Sequence, residues 1–184
     1  MATRDADKQQ VLFIQGGGGE RGYEADAKLV SSLRAALGPA YTVRYPRMSV
    51  EDKPDFGWGA QIGKAIAATK SSTVVGHSLG ASMLMKYITE HEVNHQIAGI
   101  FLISAPFWSA AHEALALQDG FADRLPNGVP IFLYHAIDDD EVGVAHVDMY
   151  AQQLPRATVR KIASGGHQLG NDLTPVAKDI GSLE

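Results

Sequence analysis

The segment Ser72–Ala81, STVVGHSLGA, decides the fold. A short β-branched run leads into Gly76-His77-Ser78-Leu79-Gly80, which fits the G-x-S-x-G pattern of a sharp strand-to-helix turn. The pattern predicts that Ser78 lies at the apex of this turn, with strained backbone angles and an accessible hydroxyl. Apolar residues at helical spacing follow the turn, namely Ala81, Leu84, Met85 and Ile88. A plain Gly-Ser loop is the alternative, but the flanking strand and helix patterns favour a nucleophile.

The remainder of the chain alternates short apolar strands with amphipathic helices. Strands are predicted at 11–14, 41–45, 73–75, 97–103, 131–136 and 158–162. Helices are predicted at 23–37, 56–69, 79–90, 144–154 and 173–183, with a less regular one at 110–117. Such alternation is typical of a parallel sheet covered by helices on both faces. We therefore expect an α/β fold with about six mostly parallel strands, in one domain over 11–184 after a flexible leader at 1–10.

The composition argues against several classes of function. The chain has 184 residues and a formal net charge of −5, without a block of Lys or Arg, so nothing indicates nucleic-acid or acidic-membrane binding. It contains no cysteine, which excludes disulfides, thiolate metal sites and a cysteine nucleophile. The polar N-terminus does not resemble a signal peptide, and no stretch reaches the ~18 apolar residues of a membrane span. The expected location is the cytoplasm, and the oligomeric state stays open.

Three residue types used in serine-based acyl transfer follow three of the predicted strands. Ser78 follows the third strand, the acidic run Asp138–Glu141 follows the fifth, and His167 follows the sixth. Because the carboxyl ends of parallel strands meet at one edge of a sheet, we expect these side chains to lie close together. Their order along the chain, serine, acid and histidine, is that of the α/β-hydrolases.

The sequence resembles the α/β-hydrolase superfamily over nearly its whole length. The matching segments are FIQGGGG at 13–19, GHSLG at 76–80, HAIDDDEV at 135–142 and GGH at 165–167. It is most similar to compact serine hydrolases with little lid, such as the retinoblastoma-binding-protein-9/YdeN-like group and dienelactone-hydrolase-like proteins. It departs from true dienelactone hydrolases, whose nucleophile is cysteine. It also has Gln15-Gly16 after the first strand, where family members usually have His-Gly.

This resemblance implies roles for individual residues. Ser78 would attack an acyl carbon, His167 would take its proton as general base, and Asp139 would orient the imidazole. The family spacing favours Asp139 as the acid, with Asp138 as the alternative. The oxyanion hole would use two backbone N–H groups, that of Leu79 in the turn and that of Gly17 in the glycine run.

The glycine run, a histidine pair and several candidate pocket residues also have a structural or solvent-exposed interpretation. The run Gly16–Gly19 lacks the Gly-Lys-Ser/Thr of a phosphate loop, and its spacing does not match a dinucleotide-binding fold. His91 and His95 have the i, i+4 spacing of a metal pair, but no third ligand follows nearby, so a polar surface connection is favoured. The candidates for lining a substrate pocket are Gly16, His77, Phe107 and Trp108, although His77 is also interpreted as support for the turn. The two aromatic residues could equally pack in the core or at its rim.

Together these patterns predict a serine hydrolase that cleaves small carboxylic esters or thioesters through an acyl-Ser78 intermediate. The expected partner is a small-molecule acyl substrate, and no metal or organic cofactor is expected. The segment 104–128 offers the only room for a lid, so no large cap is expected. The alternatives are amide or peptide hydrolysis by the same triad and a binding protein that keeps the fold without turnover.

Overall fold

Six parallel strands form one sheet at the centre of the molecule. The computed structural model describes residues 8–69, 71–93 and 96–183. The strands are β1 (Gln9–Ile14), β2 (Tyr41–Arg44), β3 (Ser71–His77), β4 (Gln96–Ile103), β5 (Ile131–Ala136) and β6 (Thr158–Ile162). Their order across the sheet is β2-β1-β3-β4-β5-β6, and every neighbouring pair is parallel. The predicted α/β fold class is confirmed.

In the described ranges, five α-helices cover the two faces of this sheet. They are α1 (Glu20–Leu37), α2 (Trp58–Ala67), α3 (Leu79–Glu90), α4 (Ala145–Gln153) and α5 (Thr174–Gly181). Helices α1 and α5 pack together on one face, and α2, α3 and α4 contribute to the core on the other. Among the helices in the described ranges, none is both long and apolar enough to cross a membrane.

Each face of the sheet buries its own apolar cluster. In β1, Leu12 and Ile14 belong to one cluster, whereas Val11 and Phe13 belong to the other. Successive side chains of a strand point to opposite faces. A strand covered by helices on both faces therefore requires the continuous apolar run that predicted it.

Two local predictions need correction. Strand β1 begins at Gln9, so Gln9 and Gln10 belong to the sheet rather than to the expected leader, of which residues 1–7 lie outside the described residues. The helix predicted at 110–117 is wrong, because the segment contains only the short 3₁₀ turn Ala110–His112. Tertiary contacts determine its path instead: Lys86 Nζ on α3 donates to the carbonyl of Ala116 (2.8 Å), and Leu115 and Leu117 pack against the core.

Candidate active site

The turn between β3 and α3 holds Ser78 in a strained conformation. Its φ of 51° and ψ of −125° are unusual for a residue with a Cβ, and such strain costs about 1–3 kcal/mol. The two flanking glycines allow the close approach that creates this turn. A Cβ on Gly76 would lie 2.5 Å from the Cα of Ala81, and one on Gly80 would lie 2.0 Å from the carbonyl oxygen of Gln15. The predicted strained strand-to-helix turn is confirmed.

His167 follows β6 and contacts the carboxylate of Asp139, which follows β5. The Nδ1 atom of His167 lies 2.9 Å from Oδ2 and 3.2 Å from Oδ1 of Asp139. Because an ionised carboxylate only accepts hydrogen bonds, Nδ1 carries a proton, and in the neutral ring this leaves the lone pair on Nε2. A neutral histidine with a free Nε2 is the form that can act as a general base.

The carboxylate of Asp139 is itself held in place by the backbone. Its Oδ1 accepts hydrogen bonds from the N–H groups of Glu141 (3.0 Å) and Val142 (2.9 Å). Burial would raise the pKa of Asp139, but the Val142 N–H and the His167 ring stabilise the anion more, so its pKa is lowered. The acid therefore remains ionised while it orients the ring.

The neighbouring Asp138 has a different role. Its two oxygens accept hydrogen bonds from the N–H groups of Gly165 (3.1 Å) and Gly166 (2.9 Å), and these two bonds lower the pKa of Asp138. It thus fixes the loop that carries His167. Of the two candidate acids, the structure brings Asp139 to the imidazole.

Ser78 and His167 line the same open cleft, whose volume is about 420 Å³. Small residues form much of its wall, namely Gly16, Gly17, Gly18, Gly22 and Ala25. The other lining side chains are polar or charged, and they include Arg21 and Glu141. Within the described ranges, no Leu, Ile, Val, Met, Phe, Tyr or Trp lines this cleft. The wall therefore suits a small polar group better than a long acyl chain.

Glycines 16–19 lie beside the Ser78 turn. A Cβ on Gly17 would lie 3.4 Å from Cδ2 of Leu79, so the two residues predicted to form the oxyanion hole are neighbours. Gln15 shapes this loop, since its Nε2 donates to the carbonyl of Gly19 (2.7 Å) and its Oε1 accepts from the N–H of Met48 (2.8 Å). The glutamine at the position of the usual histidine thus closes the loop with two hydrogen bonds.

The four pocket candidates divide into two pairs. Gly16 and His77 line the cleft, although the His77 side chain is only 1% exposed. Phe107 and Trp108 do not line it, and the expectation that they form the pocket is corrected. The ring of Phe107 packs edge-on against Tyr150, with centroids 5.0 Å apart, and Trp108 Nε1 donates to Ser82 Oγ (3.0 Å). These contacts hold both aromatic residues against the helices, away from the cleft.

Sequence reasoning missed Asp26 on α1 and Gln168 next to the base. Asp26 is 1% exposed and accepts hydrogen bonds from the Gly16 N–H (2.7 Å) and from Gln168 Nε2 (3.0 Å). A signal for Asp26 was present, because it precedes the apolar stripe Leu29, Val30 and Leu33 at helical spacing. A carboxylate on the buried face of a helix must have polar partners. Nothing in the local sequence pattern distinguished Gln168.

No three His, Asp or Glu side chains come together to hold a metal ion within the part of the chain that the structure describes. His91 instead stacks on Tyr87, with ring centroids 4.3 Å apart. The other histidine of the weighed metal pair, His95, lies outside the described residues.

Comparison with known proteins identifies the family of this chain and solved structures that share its fold. A family model described as serine hydrolase matches residues 30–172. No curated protein sequence matches the chain. Many solved structures share the fold, among them three that align over almost all of this chain.

The first of these is a protein from Xanthomonas campestris pv. campestris assigned to the alpha/beta hydrolase superfamily, with 21% identity, 96% of each chain covered and a TM-score of 0.67. The ydeN gene product from B. subtilis has 17% identity, covers 96% of this chain and 98% of its own, and has a TM-score of 0.69. Acyl-protein thioesterase 2 from Zea mays has 15% identity, covers 100% of this chain and 96% of its own, and has a TM-score of 0.68. At these identities the similarities show a common fold.

Proposed function

The chain belongs to the serine hydrolase family, and from this we propose that it hydrolyses small carboxylic esters or thioesters through an acyl-Ser78 intermediate. The main support for this proposal is the set of residues that line the cleft. The cleft is lined both by a serine on a strained strand-to-helix turn and by a histidine bonded to a buried carboxylate. A serine hydroxyl needs such a base to become nucleophilic.

In the proposed first step, Ser78 Oγ attacks the carbonyl carbon while Nε2 of His167 takes the hydroxyl proton. Asp139 stabilises the imidazolium that forms. The N–H groups of Gly17 and Leu79 would donate to the oxygen that becomes negative, and each donor of this kind contributes about 10²- to 10³-fold to the rate. The intermediate collapses when His167 returns the proton to the leaving alcohol or thiol.

In the second step, a water molecule attacks the acyl carbon of acyl-Ser78. His167 removes a proton from this water, and the oxyanion donors again stabilise the negative oxygen. Collapse of the second intermediate releases the carboxylic acid and returns the proton to Ser78. The cycle uses only groups of this chain and water.

The cleft supports a preference for short acyl groups. Its volume of about 420 Å³ lies at the small end of ligand pockets, and its walls offer little apolar surface. Each buried CH₂ contributes about 0.8 kcal/mol only where an apolar wall receives it. Lengthening the acyl chain from acetyl to octanoyl should therefore not raise kcat/KM, whereas a lipid-selective enzyme would gain with each methylene.

A substrate panel tests the proposed activity. We expect hydrolysis of p-nitrophenyl acetate and of a short acyl thioester, with much slower cleavage of the matching anilide. Ser78→Ala should abolish turnover, whereas Ser82→Ala, which removes a buried hydroxyl one turn further along α3, should retain most of it. Faster cleavage of the anilide would instead support an amidase. A folded wild-type protein inactive on every acyl compound would support the binding-protein alternative.

A further inference from the structure

We propose that Asp26 and His77 form a second buried carboxylate–imidazole pair that positions the base loop and the oxyanion loop. This inference rests on the proposed function, since positioning matters only if His167 acts as the base. Neither residue is assigned a bond-making step. Both act through the groups that they hold.

The carboxylate of Asp26 joins three separate parts of the site. Its Oδ2 accepts from the Gly16 N–H at 2.7 Å and lies 3.0 Å from His77 Nδ1. Its Oδ1 accepts from Nε2 of Gln168 at 3.0 Å. One helix side chain thus connects the glycine loop, the residue before the nucleophile and the residue after the base.

The other side of the His77 ring holds the backbone of the base. Nε2 of His77 lies 3.0 Å from the carbonyl oxygen of His167, and the hydroxyl of Ser104 donates to the same oxygen at 3.0 Å. These two donors use both lone pairs of that carbonyl. With Asp138 holding Gly165 and Gly166, the base loop is fixed on both sides of His167.

The partners of His77 determine where its protons lie. Nε2 faces a carbonyl oxygen, which only accepts, so Nε2 carries a proton. A neutral ring would then turn the lone pair of Nδ1 toward the carboxylate of Asp26 at 3.0 Å, inside a buried site. That arrangement is repulsive, so the pair holds one further proton between Nδ1 and Oδ2.

The contacts of Asp26 favour its ionised form. Burial would raise the pKa of Asp26, but the hydrogen bond and charge of His77, together with the Gly16 N–H and the Gln168 amide, outweigh burial and lower it. Titratable groups near the pair include His167, whose ring centroid lies 4.8 Å from that of His77, and Asp139 beyond it. Arg21 and Glu141 line the same cleft, and burial, helped by the charge of Asp26, raises the pKa of Tyr45. Asp26 is thus an anion held by the His77 ring, the Gly16 N–H and the Gln168 amide.

Loss of this pair should affect the chemical step more than substrate binding. The base and the oxyanion donors interact most strongly in the transition state, and misplacement by about 1 Å costs about 10²-fold in rate. Asp26→Asn and His77→Gln should each lower kcat about 10- to 100-fold with little change in KM. The matched control Asp148→Asn, at a half-exposed ion pair with Lys161 on the far side of β6, should leave kcat unchanged.

A spectroscopic measurement on the wild-type protein tests the pair independently of activity. In ¹⁵N-histidine-labelled protein at neutral pH, His77 should show a proton on Nε2 and a second, far-downfield proton in the hydrogen bond between Nδ1 and Asp26. Asp26→Asn should remove that resonance and keep the one from His167, whereas Asp139→Asn should do the reverse. The absence of a proton from the hydrogen bond between His77 and Asp26 at neutral pH would overturn the proposal, even if the variants fail to fold.

A double-mutant cycle supplies the kinetic test. If the two residues act as one unit, Asp26→Asn combined with His77→Gln should be no slower than the slower single variant. Multiplied losses, or single variants with wild-type kcat, would contradict a shared positioning role. If wild-type protein hydrolyses no acyl compound, the proposed function fails, and the histidine spectrum still decides whether the pair exists.

Discussion

The substitution Asp139→Asn should remove most of the catalytic rate because it reverses the tautomer of His167. Oδ1 of Asp139 accepts two backbone hydrogen bonds, from Glu141 and Val142. An asparagine at this position must keep its only oxygen there, which directs its NH₂ group toward Nδ1 of His167. The ring then accepts at Nδ1 and carries its proton on Nε2, where it can no longer receive the proton of Ser78.

The magnitude follows from the loss of the correct tautomer, which costs about 10⁴-fold in kcat, or about 5.5 kcal/mol, in serine triads. Asp138→Asn is the matched control, since it makes the same chemical change one residue away. An asparagine there keeps an acceptor for one of the two glycine N–H groups, so we expect a loss of about 10-fold or less. The assay is p-nitrophenyl acetate hydrolysis under saturating substrate, after circular dichroism shows that both variants are folded.

Equal losses of kcat in the two variants, or a larger loss for Asp138→Asn, would contradict the role of Asp139 in fixing the tautomer of His167. Such a result would mean that the loop, and not the carboxylate bonded to His167, limits the reaction. A wild-type rate for Asp139→Asn would exclude His167 as a base that depends on this acid.

Two further predictions concern the stability of the fold. Gly80→Ala should lower the free energy of unfolding by about 3 kcal/mol, because the added Cβ would collide with the carbonyl of Gln15. The control Gly143→Ala adds a Cβ in open space and should leave the free energy of unfolding nearly unchanged. Urea unfolding measures both variants. The pKa of Asp179 is lowered by its bond to Arg160, as those of Asp26 and Asp139 are lowered by their histidines and backbone donors. Each ion therefore stabilises the fold above the unfolded pKa of about 4, and this contribution is lost as pH falls through the lowered folded pKa. Unfolding free energy should decline below about pH 4 as these carboxylates become protonated, and Asp179→Asn should flatten that decline. An unchanged slope would contradict the assignment.

The sequence was most informative where a local pattern determines a local structure. The VLFI run predicted a strand buried on both faces, and the GHSLG pattern predicted the strained turn at Ser78. Because parallel strands end at the same edge, the positions of the acidic run and of His167 after β5 and β6 predicted that they lie close together. The family resemblance implied the hydrogen bond between Asp139 and His167, which the structure contains. The spacing alone had left Asp138 as an alternative, and the direction of each carboxylate decided between them.

The sequence was least informative where a role depends on distant contacts. The hydrogen bond from Gln168 to Asp26 joins residues 142 positions apart, so no local pattern could indicate it. Phe107 and Trp108 follow a strand, as pocket residues often do, but apolar side chains there can turn toward the cleft or toward the helices. Here their contacts with Tyr150 and Ser82 turn both side chains toward the helices. The helix expected at 110–117 failed for a similar reason, because contacts with α3 and the core set the path of that segment.

Reaction with a fluorophosphonate probe, followed by peptide mass spectrometry, tests most directly whether Ser78 is an activated nucleophile. We expect one phosphonyl adduct on the peptide that contains Ser78, with Ser78→Ala unlabelled and Asp139→Asn labelled far more slowly than wild type. Folded wild-type protein that remains unlabelled, or an adduct that persists in Ser78→Ala, would contradict this role of Ser78.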